Sequence, residues 1–367
     1  MDSAFSKWQE RLVRATINTS IYDSVRETPL LPATLLSSLY GVPLLLKRED
    51  LQPVFSFKIR GAYHKMTRMG AAQLAGGVVA ASAGNHAQGV AWSAKKLGVP
   101  AIIVMPVHTQ RIKVAAVKAY GAQVKLHGEV FDDSYLYANA LAKERGMTFI
   151  PPFDDADVIA GNGTIAAEIL RHHPQPLQAI FCAVGGGGLI SGVAAYVKTM
   201  RPEIKIIGVE AEESASMTAS LAAKKPIALD KVGIFADAVA VKKPGKLTFT
   251  ACQNLVDDII VVNNDAICAA IKDIYNDTRV IVEPSGALAV AGVRKYTQRR
   301  KVSAPIVAIT CGANMNFDRL RFIAERAEIG EEREALLAVT IPERPGSFNK
   351  FCGLLGGHNI TEFNYRL

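Results

Sequence analysis

Short apolar runs of strand length alternate with helical repeats through most of this chain, and that alternation restricts it to architectures built on parallel sheets. Gly77–Ala81, Ala101–Met105 and Gln123–Leu126 read as strands, each followed by a helical pattern, in Ala87–Leu97, Arg111–Tyr120 and Phe131–Glu144. A second set of strands is legible in Ala179–Val184, Lys205–Glu210 and Ile306–Thr310. Parallel neighbours require right-handed crossovers, and open sheets of this kind bind ligands beyond the C-terminal ends of their strands. A chain of 367 residues, 49% hydrophobic and 7% aromatic, is long enough for two lobes with a core each.

Four segments carry chemistry. Gly185-Gly186-Gly187-Gly188-Leu189 follows the apolar strand 179–184 and precedes a helical pattern over Ile190–Met200. Four residues without β-carbons leave a row of N–H groups free to converge on an anion, and the helix N-terminus adds its own unpaired donors. The run is not a P-loop, since no Gly-Lys-Ser/Thr follows. It is not a dinucleotide fingerprint either, because a fingerprint begun at Gly185 and Gly187 needs glycine where Ile190 stands. Lys58 lies between Phe57 and Ile59, with Phe55 close by; a lysine in a dry setting loses its proton more readily and becomes a Schiff-base former. Ser82-Ala83-Gly84-Asn85-His86 opens the helical pattern 87–97, and Thr310-Cys311-Gly312-Ala313-Asn314 ends the last strand of the second set. Each has an ordinary structural reading when alone: a glycine turn, a solvated lysine, a helix-start histidine, a buried small thiol. Together they supply what a phosphorylated aldehyde needs.

With these residues the chain resembles the threonine dehydratases (threonine deaminases), pyridoxal-phosphate enzymes of fold type II related to serine dehydratase and serine racemase, and in particular their biosynthetic branch. The resemblance runs from about Ile21 to the last residue. Besides the segments above it rests on Lys47-Arg48-Glu49-Asp50, Ala83–Ala91, Val282-Glu283-Pro284-Ser285-Gly286-Ala287 and Glu334–Glu343. It implies an α/β, two-lobed fold of the tryptophan synthase β type: a large lobe from 1–50 and 150–330, a small lobe from 51–149 and an ACT-like regulatory segment from 331–367. It also implies pyridoxal 5'-phosphate as cofactor, with Lys58 as the catalytic base and covalent attachment point. Phe57 would pack by the ring, Asn85 would bond the ring hydroxyl, and Gly185, Gly186, Gly187, Gly188 and Leu189 would hold the phosphate. Glu283 would lie near the cofactor and Cys311 opposite the pyridine nitrogen. Ser82, Ala83, Gly84, Asn85 and His86 would receive the substrate carboxylate, with Asn162 near the site. The expected reaction is β-elimination of L-threonine to 2-oxobutyrate and ammonia, with L-serine giving pyruvate. A β-replacement or elimination on another β-substituted amino acid is the alternative, and a non-catalytic amino-acid sensor a third reading.

Some residues depart from the family's habit. Asn162 stands where glutamine is usual, Phe55 where many relatives carry histidine, Ala238 where glycine follows aspartate, and Cys311 where serine is common in the biosynthetic enzymes. A neutral thiol is a weak partner for a pyridine nitrogen and does not keep it protonated. Ala83 occupies the position at which serine racemases place an acid/base serine, and alanine moves no proton, so racemisation is disfavoured.

The remaining composition excludes other classes. The net charge of +8 is not gathered into a basic block, and no RNA-binding aromatic motif is present, so no nucleic-acid partner is expected. The five cysteines, 182, 252, 268, 311 and 352, lack paired metal spacing, which points to a reduced cytoplasmic setting and no metal. No run reaches the roughly 18 apolar residues of a membrane span, and the N-terminus lacks a signal-peptide core. Family analogy points to a homodimer or homotetramer. At the C-terminal end, Leu336–Ile341, Pro345–Leu355 and Asn359–Arg366 read as strand, helix and strand, the opening half of an ACT-like unit. A half-built sheet predicts no ordinary isoleucine response, unless the segment completes itself against another subunit or belongs to a longer chain.

Overall fold

The computed structural model describes residues 3–331, 333–335, 337–361 and 363–364. The chain opens with α1 (Ser3–Ile17), β1 (Leu30–Pro32), α2 (Thr34–Tyr40) and β2 (Leu44–Arg48), followed by α3 (Lys58–Arg68) and the single turn α4 (Ala71–Leu74). Next come β3 (Val78–Ala81), α5 (Asn85–Leu97), β4 (Ala101–Met105), α6 (Arg111–Ala119), β5 (Gln123–Leu126), α7 (Phe131–Arg145) and β6 (Thr148–Phe149). The chain continues through α8 (Ala156–His172), β7 (Ala179–Ala183), α9 (Gly188–Met200), β8 (Lys205–Ala211), α10 (Ser216–Ala223), α11 (Lys246–Leu255) and β9 (Asp258–Val262). It closes with α12 (Asn264–Thr278), α13 (Pro284–Thr297), β10 (Ile306–Thr310), α14 (Leu320–Gly330) and α15 (Ser347–Leu355).

Two sheets result. One has six strands in the order β1-β2-β10-β7-β8-β9, the other four in the order β5-β4-β3-β6. All neighbours are parallel except β1 on β2, an edge pairing that tolerates Pro32. β10 is inserted late, between two much earlier strands: Ile306 pairs with Leu44 on one side and with Ala179 on the other. β3, β4, β7 and β10 are buried along their whole length, which is why they read as unbroken apolar runs.

α3 links the lobes. Its Ile59, Ala62, Tyr63 and Met66 are buried, and it packs against α5 and α8 at small residues. A β-carbon on Gly161 would come within 2.5 Å of the Arg60 carbonyl oxygen, and one on Gly89 within 3.0 Å of the Lys58 carbonyl carbon, so the backbone of α3 is held at van der Waals contact from two sides. Arg60 is fully buried between two carboxylates. Its Nε and Nη2 donate to Glu49 at 2.7 and 2.8 Å, its Nη1 and Nη2 donate to Glu168 at 2.6 and 2.8 Å, and Nη1 reaches Thr164 Oγ1 at 2.9 Å. Lys47 pairs with Glu168 and donates to the Thr28 carbonyl at 2.6 Å. Burial favours neutral Glu168, yet Arg60 and Lys47 outweigh it and hold that carboxyl below its usual range. The end of β2, α3 and α8 are thereby joined by charges that have no water to turn to.

At the C-terminal end, α14 packs on α12 through buried Ile323 and Ala327 and through ion pairs of Lys272 with Glu328 and Arg326 with Asp265. The helix expected over 345–355 forms as α15, with no buried residue. The flanking strands do not form among the described residues of 336–341 and 359–366; Leu336, Glu362, Tyr365 and Arg366 lie outside them. A strand needs a neighbour for its N–H and C=O groups, and these two segments find none in the described structure.

Candidate active site

The glycine run forms a tight turn between β7 and α9. Gly187 has φ +90°, a conformation that disfavours side chains, and the helix starts at Gly188 with its first N–H groups unpaired within the helix. Room here is short. A β-carbon on Gly186 would come within 2.4 Å of the Phe153 ring, and one on Gly185 within 2.9 Å of Val239 Cα. Thr248 Oγ1 donates to the Gly186 carbonyl at 2.6 Å and so occupies that oxygen. Leu189 is buried in the first turn of α9.

Lys58 begins α3. The segment before it is pinned to the end of β10: Phe57 N–H donates to the Cys311 carbonyl at 3.1 Å, Ala313 N–H donates to the Phe55 carbonyl at 2.8 Å, and Ser56 and Gly312 form an antiparallel bridge. Phe55 makes the turn with φ +56° and is exposed, while Phe57 is buried and its ring centroid lies 5.1 Å from Lys58 Nζ. Nζ donates to the Pro152 carbonyl at 3.2 Å. Burial brings its pKa down to about 8, against the opposing pull of Cys311 and Glu283. A fraction of the amine is thus neutral near physiological pH, as Schiff-base chemistry requires.

Asn85, Glu283 and Cys311 close one wall. Asn85 Nδ2 donates to Glu283 Oε1 at 2.6 Å, and Glu283 N–H donates to the Gly312 carbonyl at 3.2 Å. Gly312 makes this possible, since a β-carbon there would sit 2.3 Å from Glu283 Oε1. Burial, with Asp237 adding to it, pushes the Glu283 carboxyl up to about 7. The Cys311 thiol donates to the Ser285 carbonyl at 3.3 Å; burial and then Glu283 drive its pKa well above the usual range, so it remains a neutral thiol. His86 Nε2 bonds the Ile150 carbonyl at 2.9 Å, and burial together with Lys58 lowers its pKa to about 3, so the ring is neutral.

Ser82, Ala83 and Gly84 form the half-buried loop from β3 into α5, with the Gly84 N–H donating to Ser82 Oγ at 3.2 Å. Nothing lies within 4 Å of where a Gly84 β-carbon would be, so this loop borders open space, in contrast to the crowded glycine turn. Asn162 stands apart: it is buried on α8, with Oδ1 3.0 Å from where a Gly61 β-carbon would be and without a hydrogen-bond partner among the described residues.

The structure adds residues that sequence reasoning did not single out. Phe153 and Val239 wall the glycine turn, Pro152 receives Lys58, and Asp154 accepts from the N–H groups of Lys246, Leu247 and Thr248 to anchor α11 beside the turn. The one available signal was the turn-forming Pro151-Pro152-Phe153-Asp154-Asp155 after β6. A desolvated lysine, a glycine cradle at a helix start and polar groups from three other segments fit a phosphorylated aldehyde.

Comparison with known proteins agrees. Residues 21–312 match the family described as pyridoxal-phosphate dependent enzyme, and residues 325–367 match the C-terminal regulatory domain of threonine dehydratase. The biosynthetic L-threonine dehydratase of Burkholderia multivorans is 56% identical over 97% of this chain and 71% of its own length. The biosynthetic, chloroplastic threonine dehydratase of Arabidopsis thaliana is 54% identical over 95% of this chain and 59% of its own length. The solved processed form of threonine deaminase isoform 2 from Solanum lycopersicum superposes with a TM-score of 0.86 at 46% identity, covering 90% of each chain. Maize serine racemase gives 0.80 at 32% identity, over 88% of this chain and 98% of its own. The family match over residues 21–312 and the identity to biosynthetic threonine dehydratases place this chain in the pyridoxal-phosphate-dependent enzyme family, among the biosynthetic threonine dehydratases.

Proposed function

We propose that this chain converts L-threonine to 2-oxobutyrate and ammonia, with L-serine as a secondary substrate giving pyruvate. The observation that carries the reading is the desolvated Lys58 amine at the start of α3, fixed on Cys311–Ala313. Lys58 holds the cofactor and moves the Cα proton; the N–H groups of Gly185–Leu189 take the phosphate, and Asn85 offers an N–H to the ring oxygen. Phe57 would pack beside the ring, with Glu283 behind Asn85. Bound pyridoxal phosphate supplies an electron sink for the pair left at Cα. Cys311, a neutral thiol, would be a weak partner for the ring nitrogen and would so suit a reaction in which electrons leave promptly through Cβ. Ser82, Ala83, Gly84, Asn85 and His86 receive the substrate carboxylate at the start of α5, where neutral His86 adds no competing charge. Asn162 acts at one remove, through the packing of α8 on α3. Residues 1–50 with 150–330 form the large lobe, 51–149 the small lobe and 331–367 a regulatory segment. The assembly is a homodimer or homotetramer and the setting cytoplasmic.

The test is product analysis of the purified, cofactor-loaded protein given L-threonine and L-serine separately, with and without an added thiol. Equal amounts of 2-oxobutyrate and ammonia from threonine are expected, with no thioether. Borohydride should fix the cofactor to Lys58, and Lys58→Ala should abolish both adduct and product. A loaded protein that yields no oxo acid, or a thioether as main product, sinks the reading in favour of β-replacement.

A further inference from the structure

Asn85 lies in a line of polar groups drawn from four separate parts of the chain. Asn314 Nδ2 donates to the Val54 carbonyl oxygen at 3.0 Å and to Asn85 Oδ1 at 2.5 Å, and Asn85 Nδ2 donates to Glu283 Oε1 at 2.6 Å. The polarity of this line is set at its ends. A main-chain carbonyl only accepts, so the Asn314 atom facing Val54 is its nitrogen, and both hydrogens of that nitrogen are used, one on Val54 and one on Asn85. The Asn85 atom it meets is therefore oxygen. Asn85 is left with its NH2 on the opposite side, where one hydrogen goes to Glu283 and the second is available to a ligand. An asparagine amide has two flip states of nearly the same shape, and its neighbours decide between them. The wrong flip would set the Asn85 nitrogen against the Asn314 nitrogen and a lone pair where a donor is wanted.

We infer that Asn314 is a positioning residue for the cofactor: it fixes the amide of Asn85 so that an N–H, and not an oxygen, is presented to the cofactor's ring oxygen. The inference rests on the reading that this site holds pyridoxal phosphate. It gives a reason for Asn314 to follow Cys311 by three residues. The segment pinned to Phe55–Phe57 then sets two things at once, the thiol at Cys311 and the amide polarity at Asn85.

The experiment measures equilibrium cofactor binding and the absorbance spectrum of the loaded protein without substrate, for the unaltered chain, Asn314→Ala, Asn314→Asp, Asn85→Ala and the two double variants. Asn314→Ala should weaken cofactor binding by roughly tenfold, the scale of one lost orienting hydrogen bond. Asn314→Asp puts an acceptor in the same volume, and it should weaken binding further and move the absorbance maximum. Both effects should vanish in the Asn85→Ala background, where there is no amide to orient. Losses of equal size with and without Asn85 would overturn the inference. So would Asn314 variants that lower the melting temperature but keep the affinity and spectrum. Failure of the unaltered chain to bind the cofactor would overturn the underlying site reading, and is told apart because it precedes any substitution.

Discussion

Glu283 is a carboxyl held in a dry environment by the backbone around it, and the cost shows as a pH dependence. Its pKa is raised from about 4.5 to about 7 in the folded chain. Between those values the folded state keeps a proton that the unfolded state has lost, so the slope of unfolding free energy with pH is negative: stability falls as pH rises through this window and levels off above it. The expected fall is roughly 1.4 kcal/mol per pH unit across the window. Glu283→Gln keeps an acceptor for Asn85 and removes the proton, so its denaturation midpoint should stay flatter between pH 5 and 7 than that of the unaltered chain. Parallel curves for the two proteins would show that Glu283 is not the group responsible. Glycines at the site differ as sharply. Gly185→Ala drives a methyl into the Val239 backbone and should lower both stability and cofactor affinity, whereas Gly84→Ala meets open space and should raise the KM for threonine with the melting temperature unchanged. Equal melting temperatures for the two variants would contradict the geometry. Residue types at Lys58, Asn85 and Cys311 were legible in sequence because their chemistry is unusual in apolar company. The unpartnered Oδ1 of Asn162 was not, because its setting depends on how closely α8 approaches Gly61.

Among the elements, α3 has the most to hold in place, since Lys58, the amine proposed to carry the cofactor, stands at its first residue. Arg60→Met removes the cation that Glu49 and Glu168 share and leaves both buried carboxylates with Lys47 as their one remaining counter-charge among the described residues, at a cost of about 3–5 kcal/mol. Arg68, whose partner Asp157 lies partly in water, should lose less than about 1 kcal/mol on the same substitution. Denaturant titration of both variants distinguishes these cases, and a similar loss in each would refute the buried network as the anchor of α3. Strands buried on both faces were readable as apolar runs, and β3, β4, β7, β8 and β10 lie where the pattern puts them, as does the half-covered β5. β2 escaped because Lys47 and Arg48 interrupt its apolar run; they are buried only because Glu168 and Asp50 stand opposite them. β6 has two residues and β9 is only partly covered, so neither left a period to detect.

At the scale of the whole molecule, the two sheets and α12–α14 form the body, and the segment beyond α14 lies on its outside. Helix α15 buries none of its residues, and the described residues from 333 to 364 are exposed or half-buried. Ending the chain after Glu334 keeps the Lys272 pairs with Glu328 and Glu331, and should leave cofactor affinity and melting temperature unchanged. A fall of several degrees would show that this segment supports the body. Sequence patterning located both sets of strands but not their order, because order depends on pairings between distant residues that no local period records. β10 between β2 and β7 is the clearest case. That placement has a consequence for a chain made from its N-terminus. The lysine and the glycine turn leave the ribosome early, yet the residues that pin Lys58 and orient Asn85 come late, with Asn314 260 residues after the Val54 it bonds. Until β10 emerges, β2 and β7 have no common neighbour, and the amine has no wall to dry it. On the proposed role of Lys58, capture of the aldehyde should therefore wait for translation of nearly the whole body.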